Sequence, residues 1–227
     1  MAVILYPGAF KPPHRGHFEL VKALLKGSAQ ARVYSLDNQQ DAADKLLQGK
    51  GEKVDPITRV MIYIGSSVRN GIDKDNSKAI WDIYKKYLPG NVEVIVADAN
   101  PMLVARSHAK NRPTEKFYAV TGFRSSEDFQ DLKSISAFKD LDNVQGLIVS
   151  GGENSNVRAT SFRDAILNGS LDDVLDFFPK ELTREEILKI VKMLKQGIIA
   201  EMMAEKIEDV YSNWFDKETI AESSSGI

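Results

Sequence analysis

The 227-residue chain has no cysteine. That excludes disulfides and thiolate-held metal centres, and it suits a reducing cytoplasm. No charge of one sign dominates: 30 basic residues face 32 acidic ones, for a net charge of −2. The excess of cation that marks a duplex nucleic-acid binder is missing, so no nucleic-acid partner is expected. No long apolar run is present either. The opening run Ala2–Tyr6 is far too short for a signal peptide or a spanning helix, so a cytoplasmic chain without a membrane partner is expected. No internal repeat occurs. What is present, 43% apolar residues, suffices for one substantial core with or without a small appendage.

The order of apolar segments predicts an α/β fold. "AVILY" (2–6), "TRVMIYIGS" (58–66), "VEVIVAD" (92–98), "KFYAVTGF" (116–123) and "GLIVSGG" (146–152) read as strands buried on both faces. Between them, "HFELVKALLKG" (17–27) and "NSKAIWDIYKKYL" (76–88) have helical spacing, the latter with Asn76 or Ser77 as its cap; "NPMLVARSHAKNRP" (100–113) reads as a short helix or loop. This alternation implies a Rossmann-like parallel five-stranded sheet with helices on both faces and a C-terminal helical extension. Residues 1–180 form the α/β domain, with 28–57 as an insertion or lid. Helices over 181–216 should pack on it, the first opening with a Thr183–Glu186 capping box and ending at Gly197. The second carries an apolar stripe from Ile199 through Met202, Met203 and Ile207 to Val210, Tyr211 and Trp214, and 217–227 is a frayed tail.

Two segments carry chemistry. In "YPGAFKPPHRGHFELV" (6–21) a strand ends, Gly8 permits a tight turn, and a helix begins near His17. A metal site there lacks ligands: the only other histidine is His108, and no carboxylate pair stands at ligand spacing. A phosphate cradle fits better. Unpaired amides at the helix start would point outward, Gly16 would admit a ligand close to the backbone, and Lys11, His14 and His17 would add donors. In "NVRATSFRDAI" (156–166), Thr160 and Ser161 open a helix between Arg158 and Arg163, which makes either a second anion site or an ordinary capped helix with solvated arginines. It follows the last strand, which places it on the same rim as the first loop.

"GAFKPPHRGH" resembles the GxFxPxHxGH signature of the HxGH nucleotidyltransferase superfamily, and "VRATSFR" (157–163) resembles that superfamily's second signature, I-S-S-T-x-I-R, with Arg158 and Ala159 in place of the two serines. The chain is also similar to small phage-encoded members, over about residues 2–180. The resemblance implies transfer of a nucleotidyl group from ATP or CTP to a small phosphorylated acceptor, with release of pyrophosphate and Mg²⁺ bridging the phosphates. It implies that His17 binds the α-phosphate, that His14 holds the leaving group, and that Thr160, Ser161 and Arg163 hold the β- and γ-phosphates. Gly8, Ala9 and Phe10 would contribute backbone contacts, with Lys11 and Arg158 as further phosphate contacts. Arg69, Arg124 and Trp81 are candidates for the acceptor; the two arginines are equally readable as surface residues, and helix-core packing is the favoured reading of Trp81. Nicotinamide mononucleotide with ATP is the favoured pair. A cytidylyltransferase making a CDP-alcohol is the alternative, and a nucleotide-binding module without turnover is the reading of another class. A homo-oligomer is compatible with all three.

Overall fold

The computed structural model describes residues 1–27, 31–34, 36, 54–123, 134–150 and 157–224. Strands β1 (Ala2–Gly8), β2 (Ala31–Tyr34), β3 (Ile57–Ile64), β4 (Asn91–Val96), β5 (Phe117–Phe123) and β6 (Val144–Ser150) form one sheet in the order β2-β6-β5-β1-β3-β4. The sheet has six strands rather than five, and it is mixed. β2 pairs antiparallel with β6 at one edge, while all other pairs are parallel. The extra strand lies in the stretch expected to be an insertion or lid. Its four residues are too short to show a period, so pairing with β6 rather than pattern creates it. The rest of that stretch, with Lys45, Lys50 and Lys53, lies outside the described residues.

Helices α1 (Arg15–Leu25), α2 (Lys74–Tyr84), α4 (Ala159–Asn168), α5 (Leu171–Leu175) and α6 (Arg184–Ser224) belong to one side, and α3 (Pro101–Lys110) to the other. The side chains of β1 sort accordingly. Ala2, Ile4 and Tyr6 enter the core with Phe18, Trp81, Phe162 and Ile190, whereas Val3 and Leu5 join Ala105, Ala109 and Phe138. This is the two-residue alternation of a strand covered on both faces.

Several boundaries differ from expectation. Asp73, not Asn76 or Ser77, caps α2: its carboxylate accepts from the Asn76 amide at 2.7 Å. The Thr183–Glu186 capping box forms, with the Glu186 amide donating to Thr183 Oγ1 at 3.2 Å. The two C-terminal helices are one, running through Gly197 to Ser224, so most of the expected tail is helical. A Cβ on Gly197 would lie 2.2 Å from the Gly71 carbonyl oxygen, so this glycine lets α6 lie backbone to backbone on the loop after β3 instead of ending a helix. Of α6, Ile187, Ile190, Leu194 and Ile198 are buried; the stripe expected to pack on the domain is exposed at Ile199, Met202, Met203 and Ile207. No helix among the described residues is long and apolar enough to cross a membrane.

Across the sheet, the parallel strands run third, second, first, fourth, fifth in chain order. Connections from β1 and from β4 therefore leave in opposite directions, and a crevice opens between the C-terminal ends of β1 and β5. The loop 9–14 lies at that crevice.

Candidate active site

Loop 9–14 is folded tightly under the end of β1. Phe10 has a left-handed φ of 51°, and its buried ring meets Tyr6 (5.0 Å between centroids), His17 (5.1 Å) and Trp81 (5.6 Å), all edge to face. The ring passes beneath Gly8, where a Cβ would lie 2.9 Å from its Cζ; glycine is required by that approach. Three carbonyls of the loop are held by side chains remote in sequence. Ser77 Oγ donates to Phe10 O (2.8 Å), Arg163 Nη1 to Lys11 O (2.9 Å) and Tyr84 OH to Pro13 O (3.4 Å). Ser77 and Tyr84 are fully buried on α2. Sequence reasoning missed both, since a serine and a tyrosine on the inner face of a helix carry no signal beyond packing.

His14 is the N-cap of α1, and the two histidines make a reciprocal capping box. The Gly16 amide donates to His14 Nδ1, and the His14 amide donates to His17 Nδ1, each at 3.2 Å. The spacing of three places the pair at N-cap and N3, the positions held by Ser/Thr and Glu in the ordinary box. Their rings stack at 3.8 Å with 29° between planes. Because each Nδ1 accepts, the neutral rings carry their protons on Nε2 and act there as hydrogen-bond donors. The open amide cradle expected at this helix is not formed. Arg15 N–H donates to Phe177 O (2.7 Å), Gly16 N–H to His14, and the His17 and Phe18 amides to His14 O. Backbone donors at α1 are consumed, so an anion here would be met by imidazole N–H groups instead.

The second segment behaves differently. α4 starts after Arg158 with no side-chain cap, and Thr160 and Ser161 at its first turn are exposed. Arg163, one turn on, donates to Thr160 Oγ1 (3.3 Å) as well as to Lys11 O. Residues 152 positions apart are thereby clasped, so the two segments singled out from sequence share one site. Arg163's guanidinium is held below its ordinary pKa by burial and by the charge of Arg69, with Asp164 and Glu201 acting in the opposite sense. Arg69 is set at this rim by a tight turn: Asn70 and Gly71 both have left-handed φ (51° and 69°), and Arg69 and Ile72 exchange backbone hydrogen bonds at 3.1 and 3.2 Å.

Lys11 is the unusual cation. It is only 3% exposed, and its Nζ has no hydrogen-bond partner among the described residues. Burial lowers its pKa to about 8, although Asp73 and Asp75 oppose this. It is not a solvated surface lysine. Trp81, a candidate for stacking on the acceptor, is 0% exposed and packed between Phe10 and Tyr84; it is a core residue supporting the loop. Arg124 lies outside the described residues. His108 is on α3, in edge contact with Tyr63 and Phe117 on the opposite side of the sheet from α1. A cavity of about 640 Å³ opens elsewhere, at the strand N-termini between Leu24 and Ile57, away from all of these groups.

No protein-family model matches the chain, and no curated protein matches it significantly. The class of the protein rests on the fold and this site.

Proposed function

We propose that the protein is a nucleotidyltransferase with a Rossmann-like core, moving AMP from ATP to a small phosphomonoester, nicotinamide mononucleotide being the favoured acceptor, with release of pyrophosphate. The observation that carries the reading is the clasp: Arg163 joins the uncapped, hydroxyl-bearing start of α4 to the Lys11–His14–His17 loop at the mouth of the crevice. Ligands of parallel sheets bind at that crevice. The donors gathered there, two Nε2–H imidazoles, a buried ammonium and guanidinium groups, match a polyphosphate.

The reaction asks little more of the protein. A phosphate oxygen of the acceptor attacks the α-phosphorus in line, the bond to pyrophosphate breaks, and the leaving group departs with its electron pair. The nucleophile is already an anion, so no general base is needed; positioning and charge stabilisation lower the barrier. His17 would meet the charge growing on the α-phosphate and His14 that on the leaving group. Thr160, Ser161, Arg158 and Arg163 would hold the terminal phosphates, and Arg69 the acceptor phosphate. Arg163, already spent on Lys11 O and Thr160, acts as much by holding the loop as by touching phosphate. Mg²⁺ fits this site as a cation carried on the phosphates. Among the described residues no three His, Asp or Glu side chains converge, and the donors of the loop are cationic or N–H groups.

The test is a panel of the four NTPs against phosphorylated acceptors, read by pyrophosphate release. At least one pair should turn over, and the preferred nucleotide separates the adenylyl from the cytidylyl reading. Nucleotide binding with no pyrophosphate from any pair would leave a binding module in place of an enzyme. His14→Ser serves as an internal control, because serine keeps the helix cap. Stability should stay within about 0.5 kcal/mol of the parent, while turnover falls by at least ~100-fold.

A further inference from the structure

Among the described residues, Lys11 is a buried cation of the site whose ammonium meets no hydrogen-bond partner. The residue is only 3% exposed and its Nζ is buried, yet it donates to no atom of the described residues. Packing does not require a lysine there, and burying an unpaired ammonium is costly. The loop nevertheless holds the residue rigidly. Its carbonyl is taken by Arg163 from α4, the preceding carbonyl by Ser77 from α2, and the preceding ring is wedged under Gly8. The other charged and titratable groups around it are Asp73 and Asp75 at the start of α2, with His14 and His17 following it in the chain. Neither carboxylate bonds to Nζ; Asp73 is spent capping α2. Beyond Arg163, the first turn of α4 presents the exposed hydroxyls of Thr160 and Ser161, so the clasped loop is one layer from solvent on that side.

We infer that Lys11 is a proton-linked anion receptor, whose missing partner is a phosphate oxygen of the nucleotide, so that nucleotide binding fixes a proton on this side chain. The inference rests on the nucleotide-binding reading above and adds to it a proton linkage at Lys11. In the ligand-free protein the ammonium is uncompensated, and burial brings its pKa down to about 8. A bound phosphate supplies the opposite charge and restores the protonated form. Below pH 8 the proton is present before binding and Lys11 contributes no pH dependence. Above it, binding must draw a proton from solvent, and affinity falls by about tenfold per pH unit until the pKa of the complex is reached.

The experiment is calorimetric titration of the full chain with ATP and with CTP, in the absence of acceptor, from pH 7 to 9.5, in buffers of different ionisation enthalpy. It is run on the parent, Lys11→Met and Lys11→Arg. The parent should show a loss of affinity setting in near pH 8 and uptake of up to one proton per nucleotide. Lys11→Met should bind at least about tenfold more weakly at pH 7.5 and lose the slope. Lys11→Arg, permanently charged, should bind without proton uptake; should the larger side chain not be accommodated, the methionine variant alone decides. Nucleotide binding by the parent with no slope, or the same slope in Lys11→Met, overturns the inference and leaves the nucleotide-binding reading intact. Absence of binding by the parent to either nucleotide at every pH removes both.

Discussion

Lys11 imposes a cost on the ligand-free fold that can be measured apart from any function. Its pKa falls from 10.5 in the unfolded chain to about 8 in the folded one. The folded state therefore binds the proton more weakly. The penalty is complete below pH 8, where both states are protonated, and it fades as pH rises towards 10.5, where the unfolded chain also gives up its proton. Lys11→Met should stabilise the ligand-free protein by at most about 3–4 kcal/mol at pH 7, taking roughly 1.4 kcal/mol per pKa unit over the fall from 10.5 to about 8. The gain should shrink between pH 8 and 10, as followed by urea unfolding. A variant that stabilises the fold while weakening nucleotide binding would show a residue kept for the site at the expense of the core. A lysine that contributes to stability at pH 7 would contradict its reading as an unpaired charge. The histidines differ in kind, since both already support the fold by capping α1. Removing either changes structure and site together, which is why serine is the informative replacement at His14.

Among the elements, α6 and the β3–α2 connection depend on each other. The Asn70–Gly71 turn lies so close to α6 that a Cβ on Gly71 would sit 2.2 Å from the Gly197 carbonyl oxygen, and Gly71 has φ of +69°. Steric overlap and left-handed strain act together at this position. Gly71→Ala should cost at least ~2 kcal/mol in denaturant unfolding. It should also displace Arg69, whose place is set by the same turn; under the proposed nucleotidyl transfer that raises the KM for the acceptor more than that for the nucleotide. Unchanged stability would mean that α6 can move away from the turn freely. Helix α2 has a comparable double role. Its inner face fills the core with Ile80 and Trp81, while Ser77 and Tyr84 on that face hold two carbonyls of loop 9–14.

For the whole molecule, the boundary of the folded unit falls near Ile198. Up to there, α6 buries a residue every three or four positions. Beyond it, Met203 and Ile207 are 60% and 57% exposed. Removal of residues 208–227 should leave the midpoint of thermal unfolding within about 2 °C and pyrophosphate release unchanged; a large fall would show that the distal helix supports the domain.

The sequence alone determined the α/β alternation, five of the six strands and the two polar segments that Arg163 brings together. Those features depend on local period, glycine placement and residue type, and each is readable within some twenty residues. It could not show that β2 is an antiparallel edge strand, which depends on pairing with β6, or the continuity of α6 through Gly197, which follows from contact with Gly71. Nor could it show that Ser77 and Tyr84 grip the loop, or that the amides of α1 are largely consumed by its own histidines. The tertiary structure decided these because each depends on which groups meet across long separations, and burial, far more than residue type, determined whether Lys11 is a surface charge or an unpaired one.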